Sequence, residues 1–189
     1  KYPAIYTYLM QYRESLSNRN KAEIGVRYEW YALQRCAATY YEEFGKEKIV
    51  YPVISTSSCF AHDHNGMLIN DKAFMLIGEN MKHLIGLLNS KLLNWYYKLI
   101  NSKLGSEGME FRKIYIENTP IIGLNSIKQK DIIEKLIDDR CTLVTNKPEN
   151  NALQRLKRMN DIEQQIDHIV YSLYELTEEE IRIVEQAYE

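Results

Sequence analysis

No stretch of this sequence reaches the run of about 18 apolar residues that a membrane-spanning helix needs, because Lys, Asn or Gly interrupts each apolar segment. No membrane partner is therefore expected. Cysteine is scarce. Cys36, Cys59 and Cys141 are far apart and odd in number, so they form neither a CxxC pair nor a disulfide framework. A reducing, cytoplasmic setting is the simplest expectation. The first ten residues lack the apolar core and small-residue cleavage site of a secretory signal. Lys1 and a helical start read as the edge of a longer protein. Nor is there an excess of one charge: 24 basic against 26 acidic side chains give a net of −2 over 189 residues, which excludes a polybasic protein. What is present, 45% hydrophobic and 26% charged residues, belongs to a globular chain long enough to bury a core.

Catalytic signatures are missing as well. There is no GxGxxG, no Walker loop, no HExxH, no GxSxG and no Cys/His set with zinc spacing. His62 and His64 flank Asp63 in a turn-like segment, where a solvated loop tip is the ordinary reading and a metal site the rarer one. His83 and His168 fall inside helical patterns. Asp138-Asp139-Arg140 reads as a polar helix face. No catalytic residue and no metal ligand is assigned.

Charge is segregated along the chain. Residues 1–113 hold 15 basic and 11 acidic side chains; residues 114–189 hold 9 and 15. The first part is basic and Tyr-rich, the second acidic and helical in pattern. Exposed helices carry Glu as a rule, so this split alone does not establish a polyanion-binding front.

Periodicity gives the elements. Ile5, Tyr8, Leu9, Tyr12 and Leu16 predict a helix over 4–19, with Pro3 in its first turn. β-branched content predicts a strand over 48–55, with Pro52 marking an edge or bulge. Residues 59–61, 67–70 and 73–77 read as further short strands, with a turn over 62–66 signalled by Asn65-Gly66. Leu84, Leu87, Leu88, Leu92, Trp95, Tyr96 and Leu99 predict one helix from Asn80 to about 100. A loop over 101–108 leads to a last strand over 109–116. Helices follow over 126–141, 152–176 and 181–188, the last opened by a capping box at Thr177 and Glu180. The expected fold class is α+β: a small mixed, mostly antiparallel sheet with packed helices, followed by a C-terminal helical region. The expected organisation is a linker helix region over 1–28, an α/β core over 29–122 and a helical region over 123–189.

Three polar loops interrupt the strand-rich part. They supply Ser55, Thr56 and Ser58; His62, His64 and Asn65; and Lys103, followed by Arg112 and Lys113, with Lys72 in a further turn. Hydroxyl, amide, imidazole and cationic groups are those that contact phosphates and base edges. Surface loops are polar in any case, so composition alone leaves both readings open.

The order of motifs adds to this. Trp30-Tyr-Ala-Leu-Gln-Arg35, Lys48-Ile-Val-Tyr-Pro-Val-Ile-Ser55, Asn70-Asp71 before Phe74-Met-Leu-Ile-Gly78, Leu87-Leu-Asn-Ser-Lys-Leu92 and the segment 111–120 occur in sequence. Together they resemble the TaqI-like C-terminal specificity domain, the target-recognition domain of type IIG restriction-modification enzymes. Tyr2-Pro-Ala-Ile-Tyr-Thr-Tyr-Leu9 resembles the helix that joins such a domain to a methyltransferase core. Ile166-Asp-His-Ile-Val-Tyr-Ser-Leu-Tyr174 resembles the way such chains finish.

The resemblance implies recognition of a short double-stranded DNA sequence for an enzyme that methylates adenine, with or without cleavage nearby. It implies S-adenosylmethionine as the cofactor of a methyltransferase domain in the same parent chain, and none in this chain. The Asn-Pro-Pro-Tyr motif and the glycine-rich cofactor loop of that domain do not occur here. It also implies DNA-binding roles for Arg35 and for Arg112 and Lys113 after the loop Gly105-Ser-Glu-Gly108. A fragment of a type I specificity subunit, with residues 152–173 as a spacer helix, is an alternative reading. A helical protein-interaction module without DNA is another.

Overall fold

Pro3 stands in the first turn of α1 (Pro3–Met10), where its missing N–H leaves no bond unmade and its fixed φ suits a helix. The structure is a computed structural model that describes residues 2–34, 40–105, 108–122, 127–145 and 152–188. The chain divides into two units, Lys1–Tyr41 and Glu42–Glu189.

In the first unit α1 is followed by α2 (Arg13–Asn18), so the single helix predicted over 4–19 is broken at Gln11 and Tyr12. Neither helix buries a residue, and no packed face enforces one continuous ladder. The unit gathers on the buried Trp30 instead. The rings of Tyr6 and Tyr31 lie 5.7 and 5.4 Å from it, and the Arg13 guanidinium sits 5.7 Å from its centroid. Arg19 donates from Nη2 to the carbonyls of Trp30, at 3.1 Å, and Ala32.

The second unit is α+β. Its strands are β1 (Lys48–Pro52), β2 (Ile54–Ser55), β3 (Ala61–Asp63), β4 (Ala73–Leu76), β5 (Lys103–Leu104) and β6 (Gly108–Glu110). They form two antiparallel three-stranded sheets, ordered β3-β1-β4 and β2-β6-β5. Pro52 closes β1 at the last ladder position, opposite Ala73. The next residue, Val53, joins the sheets: its N–H donates to the Lys72 carbonyl (3.0 Å) and its carbonyl accepts from Phe111 N–H (2.8 Å).

Several elements differ from the sequence pattern. His62 and Asp63 belong to β3 and not to a turn. Residues 67–70 form no strand, because β3 and β4 pair with opposite edges of β1 and leave them no partner. Met67 and Leu68 are accordingly exposed. The last strand ends at Glu110, and α5 (Lys113–Glu117) replaces its second half. Alternating Ile114 and Ile116 mimic strand periodicity there, but only Ile116 is buried.

The apolar stripe over 80–100 is two helices, α3 (Met81–Leu88) and α4 (Lys91–Ile100). Ser90 caps α4, its Oγ accepting from Leu93 N–H at 3.3 Å. Behind them pack α6 (Ile127–Thr145), α7 (Ala152–Leu173) and α8 (Glu178–Gln186). Thr177 and Glu180 form the predicted capping box of α8.

One hydrophobic core links both sheets to the helices. Its aromatic centre is Tyr51, Phe60, Tyr97 and Phe111, with ring centroids 5.0 to 6.2 Å apart in successive pairs. The Tyr97 hydroxyl meets Thr119 Oγ1 at 2.9 Å, which satisfies a fully buried phenol. Gly86 lets α3 and α6 touch: a Cβ there would lie 2.5 Å from Ile133 Cγ2. Among the described residues no helix is long and apolar enough to cross a membrane.

Candidate nucleic-acid interface

Of the cationic residues singled out from the sequence, Lys103 stands on the β2-β6-β5 sheet, Arg112 and Lys113 follow its strand β6, and Lys72 precedes β4 of the other sheet. Ser55 is registered opposite Met109 in β6, and Lys103 opposite the same Met109 from the other side. Thr56 follows Ser55 as an exposed residue. Arg112 and Lys113 continue the chain beyond β6. Lys72 joins them through its carbonyl bond to Val53, which in turn binds Phe111. Five of the candidates, Ser55, Lys72, Lys103, Arg112 and Lys113, thus lie along one hydrogen-bonded patch of backbone, with Thr56 beside it.

Side-chain pairing differs among these cations. Arg112 Nε lies 2.5 Å from Glu110 Oε2, and this contact raises the guanidinium above its ordinary, already high pKa. Lys113 Nζ lies 3.0 Å from Glu117 one helical turn on, and Lys72 Nζ 3.3 Å from its neighbour Asp71. Lys103 is exposed and has no ion-pair partner among the described residues. The Lys72 and Lys113 pairs are exposed and exchange readily for phosphate, since each is worth little by itself.

The remaining candidates lie elsewhere. Ser58 donates from both its N–H (2.8 Å) and its hydroxyl (3.1 Å) to Asn94 Oδ1 of α4, which makes it an anchor for the segment 56–60. His62 Nε2 lies 2.5 Å from Glu47 Oε1, and its side chain is largely buried. His64 and Asn65 are exposed. Their turn is fixed by Asp63, whose Oδ1 and Oδ2 accept from Asn65 N–H (2.9 Å) and Met67 N–H (2.8 Å). Asp63 in turn meets the fully buried Lys48 at 2.5 Å, and that contact holds its carboxyl below the usual range. Arg35 lies outside the described residues.

Ser58, His62 and His64 border an open groove of about 1110 Å³ whose other wall is helical. Its cations are matched by carboxylates: Lys82 with Asp138, Arg140 with Glu163, and Lys91 with Glu185. Lys72, Arg112 and Lys113 are paired in the same way, and among the described residues Lys103 alone of these candidates has no such partner. Among the described residues no group of three or more His, Cys, Asp or Glu is placed to hold a metal ion.

Residues the sequence did not single out emerge on the sheet. Ile54 is registered opposite Glu110, and Leu104 opposite Gly108, so all four share one face. Met109 and Phe111 point the other way and are 3% and 1% exposed. Ile54 and Leu104 are exposed apolar residues beside the Glu110–Arg112 pair. The signal was available in the alternation Gly108-Met-Glu-Phe-Arg112, which puts Met and Phe inside and Glu and Arg outside.

Fold and site together define an α+β domain whose hydrogen-bonding and cationic groups sit on the margins of a small antiparallel sheet. Residues 3–121 match the family described as the TaqI-like C-terminal specificity domain. The chain belongs to this family of restriction-modification specificity domains. No curated protein matches it.

Proposed function

We propose that this chain reads a short double-stranded DNA sequence for a restriction-modification enzyme that methylates adenine. The observation that supports this most is the family match over 3–121, which spans the β2-β6-β5 sheet and its five candidate contact residues. Lys72, Lys103 and Lys113 are the phosphate contacts, since an ammonium recognises a phosphate as a point charge. Ser55 and Thr56 offer hydroxyls at the same margin. Methyl transfer from S-adenosylmethionine belongs to a methyltransferase domain of the parent. The glycine-rich loop and Asn-Pro-Pro-Tyr that serve it are not among these 189 residues. This chain supplies the address, and any cleavage activity of the parent resides outside it.

The test is duplex binding by fluorescence anisotropy across a range of ionic strengths. The logarithm of the association constant falls linearly with the logarithm of salt, by about 0.9 per phosphate contact. Substituting Lys72, Lys103 and Lys113 together by Ala lowers that slope by about 2 to 3. Binding that is absent at low ionic strength, or indifferent to salt, counts against DNA recognition and in favour of a protein-interaction module.

A further inference from the structure

Along 108–112 the backbone alternates between a face bolted to the core and a face turned outward. Met109 and Phe111 are buried; Glu110 and Arg112 share the opposite side. Phe111 N–H is bound to Val53 and Met109 pairs with both Ser55 and Lys103. Glu110 thus ends a strand held from three directions, and Arg112 follows two residues on.

The closest approach of Glu110 to Arg112 is Oε2 to Nε, at 2.5 Å. Nη1 and Nη2 have no partner among the described residues. The Arg112 side chain is 60% exposed and that of Glu110 16%. A carboxylate beside Nε restrains the guanidinium plane without covering its terminal fork, the side chain staying 60% exposed. That fork is the part of arginine that fits the O6 and N7 acceptors of guanine in the major groove. The exposed Ile54 and Leu104 flank the pair on the same face. Apolar neighbours exclude water from a base contact and can meet a thymine methyl.

We propose that Arg112 reads a guanine in the target sequence and that Glu110 is the residue that positions it for this. The inference rests on the DNA-recognition reading above and names one base that such recognition must include. An isolated surface ion pair contributes little stability, so the worth of this pair lies in geometry: a pre-set side chain gives up less freedom on binding. Lys113, paired along a helix surface to Glu117, offers a point charge and no fork, and reads no base.

The test is selection of duplexes with a randomised core of about ten base pairs, one helical turn, on the full chain. The wild-type chain selects a sequence with a guanine at a fixed position. Replacing that guanine by 7-deazaguanine, which lacks the N7 acceptor, weakens binding about ten-fold, the order expected of a bidentate contact. Arg112→Ala is insensitive to the replacement. Glu110→Gln is isosteric; it loses most of the discrimination at that position. Arg112→Lys keeps the charge and loses the same discrimination, and circular dichroism of both variants matches the wild type.

Full discrimination in Glu110→Gln overturns the positioning role. Wild-type selection in which every guanine tolerates 7-deazaguanine overturns the guanine contact and leaves DNA recognition standing. A wild-type chain that selects no sequence overturns both.

Discussion

Asn89 brackets the backbone of Phe60: its Oδ1 accepts from the Phe60 N–H at 2.9 Å and its Nδ2 donates to the Phe60 carbonyl at 2.8 Å. One side-chain amide at the break between α3 and α4 thus replaces a missing strand partner. It holds the segment between the two sheets against the helices and seats the Phe60 ring in the core. Asn89→Ala leaves two part-buried backbone groups unpaired and costs about 3 kcal/mol. Asn89→Asp keeps the acceptor but sets a carboxylate oxygen against the Phe60 carbonyl, and at neutral pH costs at least as much. Urea unfolding of the two variants beside the wild type checks the order.

The buried pair Lys48–Asp63 makes an acid-sensitive joint. Lys48 also donates to the Phe44 carbonyl at 2.6 Å, so its three hydrogens are well supplied. Lys48→Met strands a buried carboxylate and costs about 3–5 kcal/mol at neutral pH. The pKa of Asp63 is lowered on folding, chiefly by Lys48. Its contribution is therefore fully present above the unfolded-state value near 3.9 and is lost as pH falls through the folded value. In Lys48→Met the largest influence lowering the Asp63 pKa is gone while the backbone bonds from Asn65 and Met67 remain. A shallower loss of stability with falling pH than in the wild type, from chemical denaturation below about pH 5, is the expected result.

Asp167 of α7 behaves in the reverse sense. Its Oδ1 accepts from Lys91 N–H at the start of α4, at 2.8 Å, and burial pushes its pKa up to about 6. The folded form holds the proton more tightly than the unfolded chain. This contribution is fully present below about pH 4 and is lost as pH rises through about 6. Asp167→Asn keeps the acceptor without the charge. It is more stable than wild type at pH 8, by up to about 3 kcal/mol, and equal to it at acid pH. A variant equally destabilised at both pH values contradicts this.

Gly86→Ala brings a methyl group within 2.5 Å of Ile133 Cγ2. Overpacking costs about 1–3 kcal/mol, more than the gain of about 1 kcal/mol in helix propensity. In an Ile133→Ala background the clash disappears and Gly86→Ala becomes stabilising. A thermodynamic cycle of the four proteins gives a non-zero coupling energy, where independent sites would give none.

Much of this fold is legible in the order of hydrophobic periods. The helical positions Leu87, Leu88, Leu92 and Tyr97 are buried as their spacing predicts, and Thr177 caps α8 with Glu180 as written. The breaks were harder to see. Asn89 and Ser90 look like surface residues of one helix because their function is long-range, to Phe60 and across the α4 N-terminus. The separation into two sheets rests on which edges β3 and β4 choose, and a tertiary pairing of this kind leaves no local mark. Of the site, Lys103, Arg112 and Lys113 stood out by charge. Glu110 did not, because an acidic residue in a presumed polyanion site reads as an obstacle until its bond to Arg112 is seen.

The alternation along β6 has a consequence for how such a domain changes over time. Met109 and Phe111 carry the architecture, while positions 54, 104, 110 and 112 face outward from the same sheet and the residues that continue it. Substitutions at the outward set leave the core contacts untouched, and most surface changes of that kind shift stability by less than about 0.5 kcal/mol. Vocabulary and grammar are kept on opposite sides of one strand, so a new address can be written without relearning how to fold.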